Sequence, residues 1–215
     1  MSPEDLSVYL VTDPGMGLER GLDATVRLAL NAGVKTVQLR DKTASTRKLM
    51  EDARSLLALC GEYGAALLVN DRVDVALAVG ADGVHLGQDD MPADEARRLL
   101  GDSAVVGVSA RTAEEAARAE TDGADYVAAN MVFHTETKTD LPEPLGPAGI
   151  EEIRSACSLP LVAIGGIDAG RAGEVIRAGA DGVAVVSAIM AADDPAAAAS
   201  GLIRSVRKAL AARDS

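Results

Sequence analysis

Tryptophan is absent from this 215-residue chain, phenylalanine occurs once and tyrosine three times, so aromatic residues make up only 2% of it. A stacking platform for nucleic acid bases therefore has nothing to build it, and the core must be made from Ala, Val, Leu and Ile. Positive charge is also in deficit. Against 33 acidic residues there are 21 basic ones, a formal net charge of -12, which repels polynucleotide phosphates and anionic membrane surfaces. An anionic small molecule is disfavoured as well, unless a few basic groups are concentrated where it binds. Cys60 and Cys157 are two isolated thiols without CxxC spacing, and they read as small core residues. No run approaches the roughly 20 apolar residues that span a bilayer, and "MSPEDLSVYL" lacks a basic region followed by an apolar one. The expected location is the cytoplasm, with neither nucleic acid nor membrane as a partner.

What the chain does have is alternation. Short Val-, Ile- and Leu-rich runs recur at 8–12, 34–39, 66–70, 82–86, 104–108, 125–129, 160–164 and 181–186, giving eight candidate strands. Stretches of helical period such as "TRKLMEDARSLLALCGEYG" lie between them, so the order is a repeated strand and helix. Nearly continuous apolar strands indicate a parallel sheet covered by helices. The repeat "GADG" (80–83), "GADY" (123–126) and "GADG" (179–182), with the looser "GVKT" (33–36), places a glycine where each helix ends left-handed before a strand. Eight such units predict a single (β/α)8 barrel over residues 1–215. The competitor, an open doubly wound sheet, would need a glycine fingerprint after its first strand, and "VTDPGMGLERG" is a poor one.

In a barrel the chemistry sits at the C-terminal ends of the strands. Those positions hold Gln38, Arg40, Asp41, Lys42, Asn70, Asp71, His85, Gln88, Asp89, Asp90, Ser109, Arg111, Asn130, Gly165, Gly166 and Ser187, whereas the strand starts carry mainly the Asp of the repeated junctions. Gly165 and Gly166, with Asp168 as an N-cap, let backbone N–H groups approach an anion. With Val186 and Ser187 they form the phosphate site that barrels often place after strands seven and eight; a tight turn is the plainer reading of a glycine pair. Asp71 and Asp90, at adjacent strand ends, suit one hard cation such as magnesium, although each Asp alone also reads as an N-cap or turn residue. Arg40, Lys42 and Lys138 on the same rim would balance the charge of a metal-bound diphosphate.

The motifs "QLRDK" (38–42), "VNDR" (69–72), "GVHLGQDD" (83–90), "GVSART" (107–112), "TETK" (135–138), "AIGGI" (163–167) and "ADGVAVVSAI" (180–189) together resemble the thiamine phosphate synthase family, in its order and spacing. The resemblance implies joining of 4-amino-2-methyl-5-(diphosphooxymethyl)pyrimidine to a thiazole phosphate, with release of diphosphate. It implies that Gln38, Leu39, Arg40, Asp41, Lys42, Asn70, Ser109 and Lys138 hold the pyrimidine diphosphate, with Arg40, Lys42, Ser109 and Lys138 assisting catalysis. The thiazole phosphate would be held by Thr135, Glu136, Thr137, Gly166, Val186 and Ser187, and one Mg2+ per active site by Asp71 and Asp90. The implied chemistry is dissociative and needs no protein nucleophile, in keeping with a rim of cations, amides and hydroxyls.

The chain departs from the family pattern at Ala128 to Phe133, where a "GxGPxF" run is common, at His134, where Pro is common, and at Arg111, where His is common. Asn130 takes the place of a small residue near the thiazole. His134 reads as a solvent-facing loop residue, His85 as a structural hydrogen-bonding one. In "VFHTETKTD" (132–140) the hydroxyls of Thr135 and Thr137 would face one side of an extended loop and Glu136 the other. The alternatives are a thiazole tautomerase, which has no use for a diphosphate set, and a non-catalytic phosphate-ligand sensor. A second copy of the chain is a candidate partner.

Overall fold

The structure, a computed structural model, describes residues 4–17, 19–134 and 143–213. Eight parallel strands close on themselves in chain order: β1 Val8–Val11, β2 Thr36–Leu39, β3 Ala66–Asn70, β4 Gly83–Leu86, β5 Val105–Ala110, β6 Tyr126–Asn130, β7 Leu161–Ile164 and β8 Gly182–Val185, with β8 paired to β1. Every predicted strand is present within two residues of its expected start and end. The outer ring is α1 Leu22–Asn31, α2 Thr46–Glu62, α3 Val73–Val79, α4 Ala93–Leu100, α5 Ala113–Thr121, α6 Gly146–Ala156, α7 Ala172–Arg177, the short α8 Ser187–Met190 and α9 Pro195–Arg213. The expected (β/α)8 barrel is what forms.

Strand residues alternate between two layers, as the period of two requires. One set, including Leu10, Val37, Leu67, Val69, Val84 and Val106, packs outward in the sheet–helix core. The other set fills the barrel, with Tyr9, Val11, Leu68, Tyr126, Ala128 and Val162 forming a separate cluster. Two of the three tyrosines are therefore spent inside the barrel. Gly107 makes room for one of them, because a Cβ there would collide with the Tyr126 ring. Large and small inward residues interlock in this way across the barrel axis.

The repeated junctions work as expected for glycine and supply a second device at the Asp. Gly80, Gly123 and Gly179 all have positive φ, of 71°, 83° and 111°. Two residues later, Asp82, Asp125 and Asp181 turn back to accept an N–H of the neighbouring preceding strand, from Leu67 at 2.8 Å, Val106 at 2.7 Å and Leu161 at 2.9 Å. Each carboxylate thus caps a strand at the N-terminal rim. Cys60 and Cys157 are buried as predicted. Burial pushes the Cys60 thiol up to about 12, with the Asp82 charge adding to the effect. Among the described residues, no helix is long and apolar enough to cross a membrane.

Candidate active site

The C-terminal mouth of the barrel opens into a cleft. Strands β2 to β6 contribute Gln38, Asn70, His85, Ser109 and Asn130 to it, while the turns after β7 and β8 contribute Gly165, Gly166, Val186 and Ser187. The expected phosphate turns therefore share one space with Gln38, Arg40, Asn70 and Ser109 of the expected pyrimidine set, while Lys42, Asp71 and Asp90 are not among its lining residues.

The floor of the cleft is a buried hydrogen-bond chain that crosses the barrel. Gln38 Nε2 donates to the Tyr9 hydroxyl; Tyr9 and Tyr126 hydroxyls are 3.0 Å apart; Tyr126 is 2.8 Å from His85 Nδ1; and His85 Nε2 is 2.9 Å from Ser109 Oγ. Donor bookkeeping gives this chain a direction. Tyr9 accepts from Gln38, so its own proton points to Tyr126, whose proton points to His85 Nδ1. His85 then carries its proton on Nε2 and donates to Ser109, which leaves the Ser109 hydroxyl proton for the cleft. Burial raises both phenols well above their ordinary values, so the tyrosines stay protonated near neutral pH. His85 is accordingly the hydrogen-bonding residue that its position in the strand suggests.

On one side of this floor lie the charged groups. Lys42 Nζ is 3.2 Å from Asp71 Oδ2, and Arg40 Nη1 is 3.7 Å from Asp13 Oδ2. The Arg40 amide is fixed by Thr12 Oγ1 at 2.9 Å. Asp71 has φ 61°, rare for a residue with a side chain, and its N–H donates to the His85 carbonyl at 2.9 Å. That bond ties the end of β3 to β4 and turns Asp71 toward Asp90. Asp90 accepts the Gly87 N–H at 2.7 Å. Burial first, and then the hydrogen-bonding approach of Asp71, push the Asp90 carboxyl above its usual range, and the Gly87 N–H and Lys42 offset this only in part.

Gly165 and Gly166 have φ 112° and 62°, and a Cβ on Gly165 would come within 2.7 Å of Met131 Cα. A Cβ on Gly166 would collide with the His134 carbonyl. The glycine pair is thus a tight turn and also the surface on which the chain leaving β6 rests. Asp168 accepts the Gly170 and Arg171 N–H groups at 2.9 and 3.0 Å, capping the turn that leads into α7. Arg171 sits 5.0 Å over the Phe133 ring and donates to the Gly166 carbonyl at 2.9 Å. His134 is exposed.

Two sequence expectations take a different form. Leu39 packs in the sheet–helix core at 2% exposure, because its parity on β2 is opposite to that of Gln38; only its main chain is left for a ligand. Asp41 accepts from the Thr43 amide, the Thr43 hydroxyl and the Ala44 amide at 2.8–2.9 Å. Burial opposes its ionisation, but these bonds outweigh it and hold the carboxyl below its usual range. Its carboxylate is committed to the turn after β2. Thr135, Glu136, Thr137 and Lys138 lie outside the described residues. Tyr9 and Tyr126 were not anticipated as site residues; the available signal was that both sit at inward parity in strands otherwise made of aliphatic and small side chains.

A parallel barrel that gathers cations, paired carboxylates and a glycine turn at its strand C-termini falls in the class of barrel enzymes that handle phosphate esters. Known proteins narrow that class. The family described as thiamine monophosphate synthase matches residues 8–189. A thiamine-phosphate synthase of Chloroflexus aurantiacus is 52% identical over 195 residues, 91% of this chain and 90% of the relative. One from Moorella thermoacetica is 47% identical over 205 residues, 95% and 97% of the two chains. The solved structure of a thiamine phosphate pyrophosphorylase from Pyrococcus furiosus superposes with a TM-score of 0.87 at 40% identity, covering 97% of this chain and 98% of that one. The chain belongs to the thiamine monophosphate synthase family. Its activity is a transfer between small-molecule substrates that forms thiamine phosphate.

Proposed function

We propose that this single barrel binds the pyrimidine diphosphate over Gln38, Asn70 and Ser109 and the thiazole phosphate against Gly166, Val186 and Ser187, and joins them by a dissociative route. The observation that carries the reading is the pairing of Asp71 with Asp90 beside Lys42, at the edge of the cleft that Gln38 and Ser109 floor. Two carboxylates crowded together lose repulsion when a cation lies between them. An all-oxygen pair with room for phosphate oxygens and water fits magnesium, which keeps such ligands in its remaining positions. Bound there, one Mg2+ would neutralise part of the charge that develops on the departing diphosphate.

The chain's own groups do the rest. Arg40 and Lys42 face the same charge, and Arg40 is held ready by Asp13 and Thr12. As the bond from the pyrimidine methylene to the diphosphate oxygen breaks, its electron pair leaves with the diphosphate. The amino-substituted ring stabilises the resulting methylene cation until the thiazole nitrogen supplies a new pair. The relay from Gln38 to His85 fixes Ser109 as a donor toward this exchange, so no reorganisation is needed when charge appears. Lys138, outside the described residues, belongs to the same diphosphate set by motif. The wall of Asn130, Gly165 and Gly166 holds the thiazole close to the cation, and proximity supplies much of the rate.

The test is Asp71→Ala, assayed for thiamine phosphate and diphosphate with both substrates and magnesium. Turnover is expected to fall by about 100- to 1000-fold, the scale of losing one preorganised electrostatic group, while thiazole phosphate affinity, measured by calorimetry, stays nearly unchanged. An equal loss of thiazole phosphate binding would mean that the two sides of the cleft have been assigned wrongly.

A further inference from the structure

Arg111 stands just beyond the C-terminal end of β5, outside the cleft lining, yet it is held on every side. Its amide donates to Glu115 Oε2 at 2.6 Å, while the Glu115 amide donates to Thr112 Oγ1 at 3.1 Å. This reciprocal cap at the start of α5 fixes the Arg111 backbone. Its guanidinium then reaches sideways to two main-chain carbonyls: Nη1 to Asn130 at 3.0 Å and Nη2 to Glu143 at 2.7 Å. One carbonyl ends β6 and the other belongs to the chain returning toward α6. A planar fork presents two nitrogens at a fixed separation to the two acceptors, whereas a lysine offers a single nitrogen on a flexible stem. Behind it the two limbs are tied by Leu145 N to Met131 O and Gly146 N to Val132 O, both at 2.9 Å.

What hangs on this clamp is one wall of the cleft. Asn130 and Met131 both line it. Met131 has φ 64°, a conformation that residues with side chains keep only when their surroundings enforce it. Its Cα lies so near Gly165 that the two segments have no slack between them. A shift of the Asn130 carbonyl therefore displaces the Asn130 side chain, Met131 and the Gly165 turn together.

We propose that Arg111 is a positioning residue for the thiazole-phosphate side of the cleft, acting through the Asn130 carbonyl, and that it leaves the Asp71–Asp90 side untouched. This rests on the assignment of sides made above. The experiment compares Arg111→Ala, Arg111→Lys and Ser187→Ala in steady-state assays, varying each substrate in turn, with melting curves and with added guanidinium ion. Arg111→Ala is expected to raise KM for the thiazole phosphate by about 10- to 100-fold, with KM for the pyrimidine diphosphate within about twofold, as for a misplacement that spares the other reactant. Guanidinium should restore part of the loss, and Arg111→Lys should fall between. An equal rise in both KM values, or a loss that guanidinium does not relieve, would overturn the proposal even if the variant melts normally. Ser187→Ala separates the two readings. If it leaves the thiazole phosphate KM unchanged, the assignment of sides has failed, and guanidinium rescue alone then decides whether Arg111 positions the Asn130 wall of the cleft: rescue supports that role and its absence overturns it.

Discussion

The two rims of this barrel treat the same side chain in opposite ways. At the N-terminal rim Asp82, Asp125 and Asp181 each accept a strand N–H. Two of them also meet arginines: Arg97 reaches Asp125, and Arg154 and Arg213 both reach Asp181, each at 3.2 Å. At the C-terminal rim Asp71 and Asp90 are turned on one another, with one lysine beside them and a left-handed backbone at Asp71. The junction carboxylates at the first rim are satisfied within the protein and hold strands in place. Asp71 and Asp90 at the second instead crowd one another, and Asp71 does so on a left-handed backbone. Among the described residues the only two non-glycine positions with positive φ, Asp71 and Met131, both lie at this second rim, where strain of order 1–3 kcal/mol is commonly held for function.

The largest contrast should come from Asp181. Asp181→Ala removes the acceptor of the Leu161 N–H and the carboxylate that Arg154 and Arg213 share, so it should destabilise by about 2–3 kcal/mol and lower Tm by about 4–12 °C for a chain of this size. Activity per folded molecule, with kcat and both KM values measured well below the transition, should be unchanged. A variant that melts normally but turns over slowly would erase the distinction between the rims. Asp71→Ala should be its mirror image, losing turnover while keeping its Tm within a few degrees.

A smaller effect is expected from the relay that underlies the second rim. Tyr126→Phe keeps the ring in the slot that Gly107 leaves for it but removes the hydroxyl between Tyr9 and His85. His85 then loses the donor that sets its tautomer, and Ser109 is no longer held as a donor to the cleft. A fall in kcat of about tenfold is expected, with Tm lowered by about 4–8 °C since two buried hydrogen bonds are lost. Substrate KM values should move less than kcat. If kcat holds while stability collapses, the chain across the barrel is a packing device only.

How far the sequence reveals these rims differs with what each feature depends on. Strand runs, glycine stops and the polar strand ends were readable because each is local: a period of two, a left-handed helix end, a side chain one step past an apolar run. Gln38, Asn70, Ser109, Gly166 and Ser187 were placed around one cleft by that logic together with the family's motifs. The relay was not readable, since Tyr9 and Tyr126 are separated by 117 positions and meet only when the barrel closes. The double role of the Gly-Ala-Asp junction was half visible. Its glycine is a local signal, whereas its Asp caps a different strand, 15 to 20 positions earlier. Leu39 and Asp41 came with the motif, and their side chains are spent elsewhere: parity turns one outward and a local turn occupies the other.

The finest test of the comparison is Asp90→Asn, because it asks for opposite signs from two measurements on one protein. Asparagine can still accept the Gly87 N–H, and its amide can donate to Asp71, so the substitution replaces a like-charge contact by a hydrogen bond. Without added metal the variant should be slightly more stable than the parent, by up to about 1 kcal/mol, or 2–4 °C in Tm. If the pair holds magnesium as proposed, the same change removes one of its carboxylates, so turnover should drop and the magnesium concentration for half-maximal rate should rise. At the other rim, no carboxylate should behave in this way, since each of those is already matched by donors. A destabilised Asp90→Asn protein would mean that the Asp71–Asp90 contact is itself a structural bond, and the second rim would then hold no strain for a ligand to relieve.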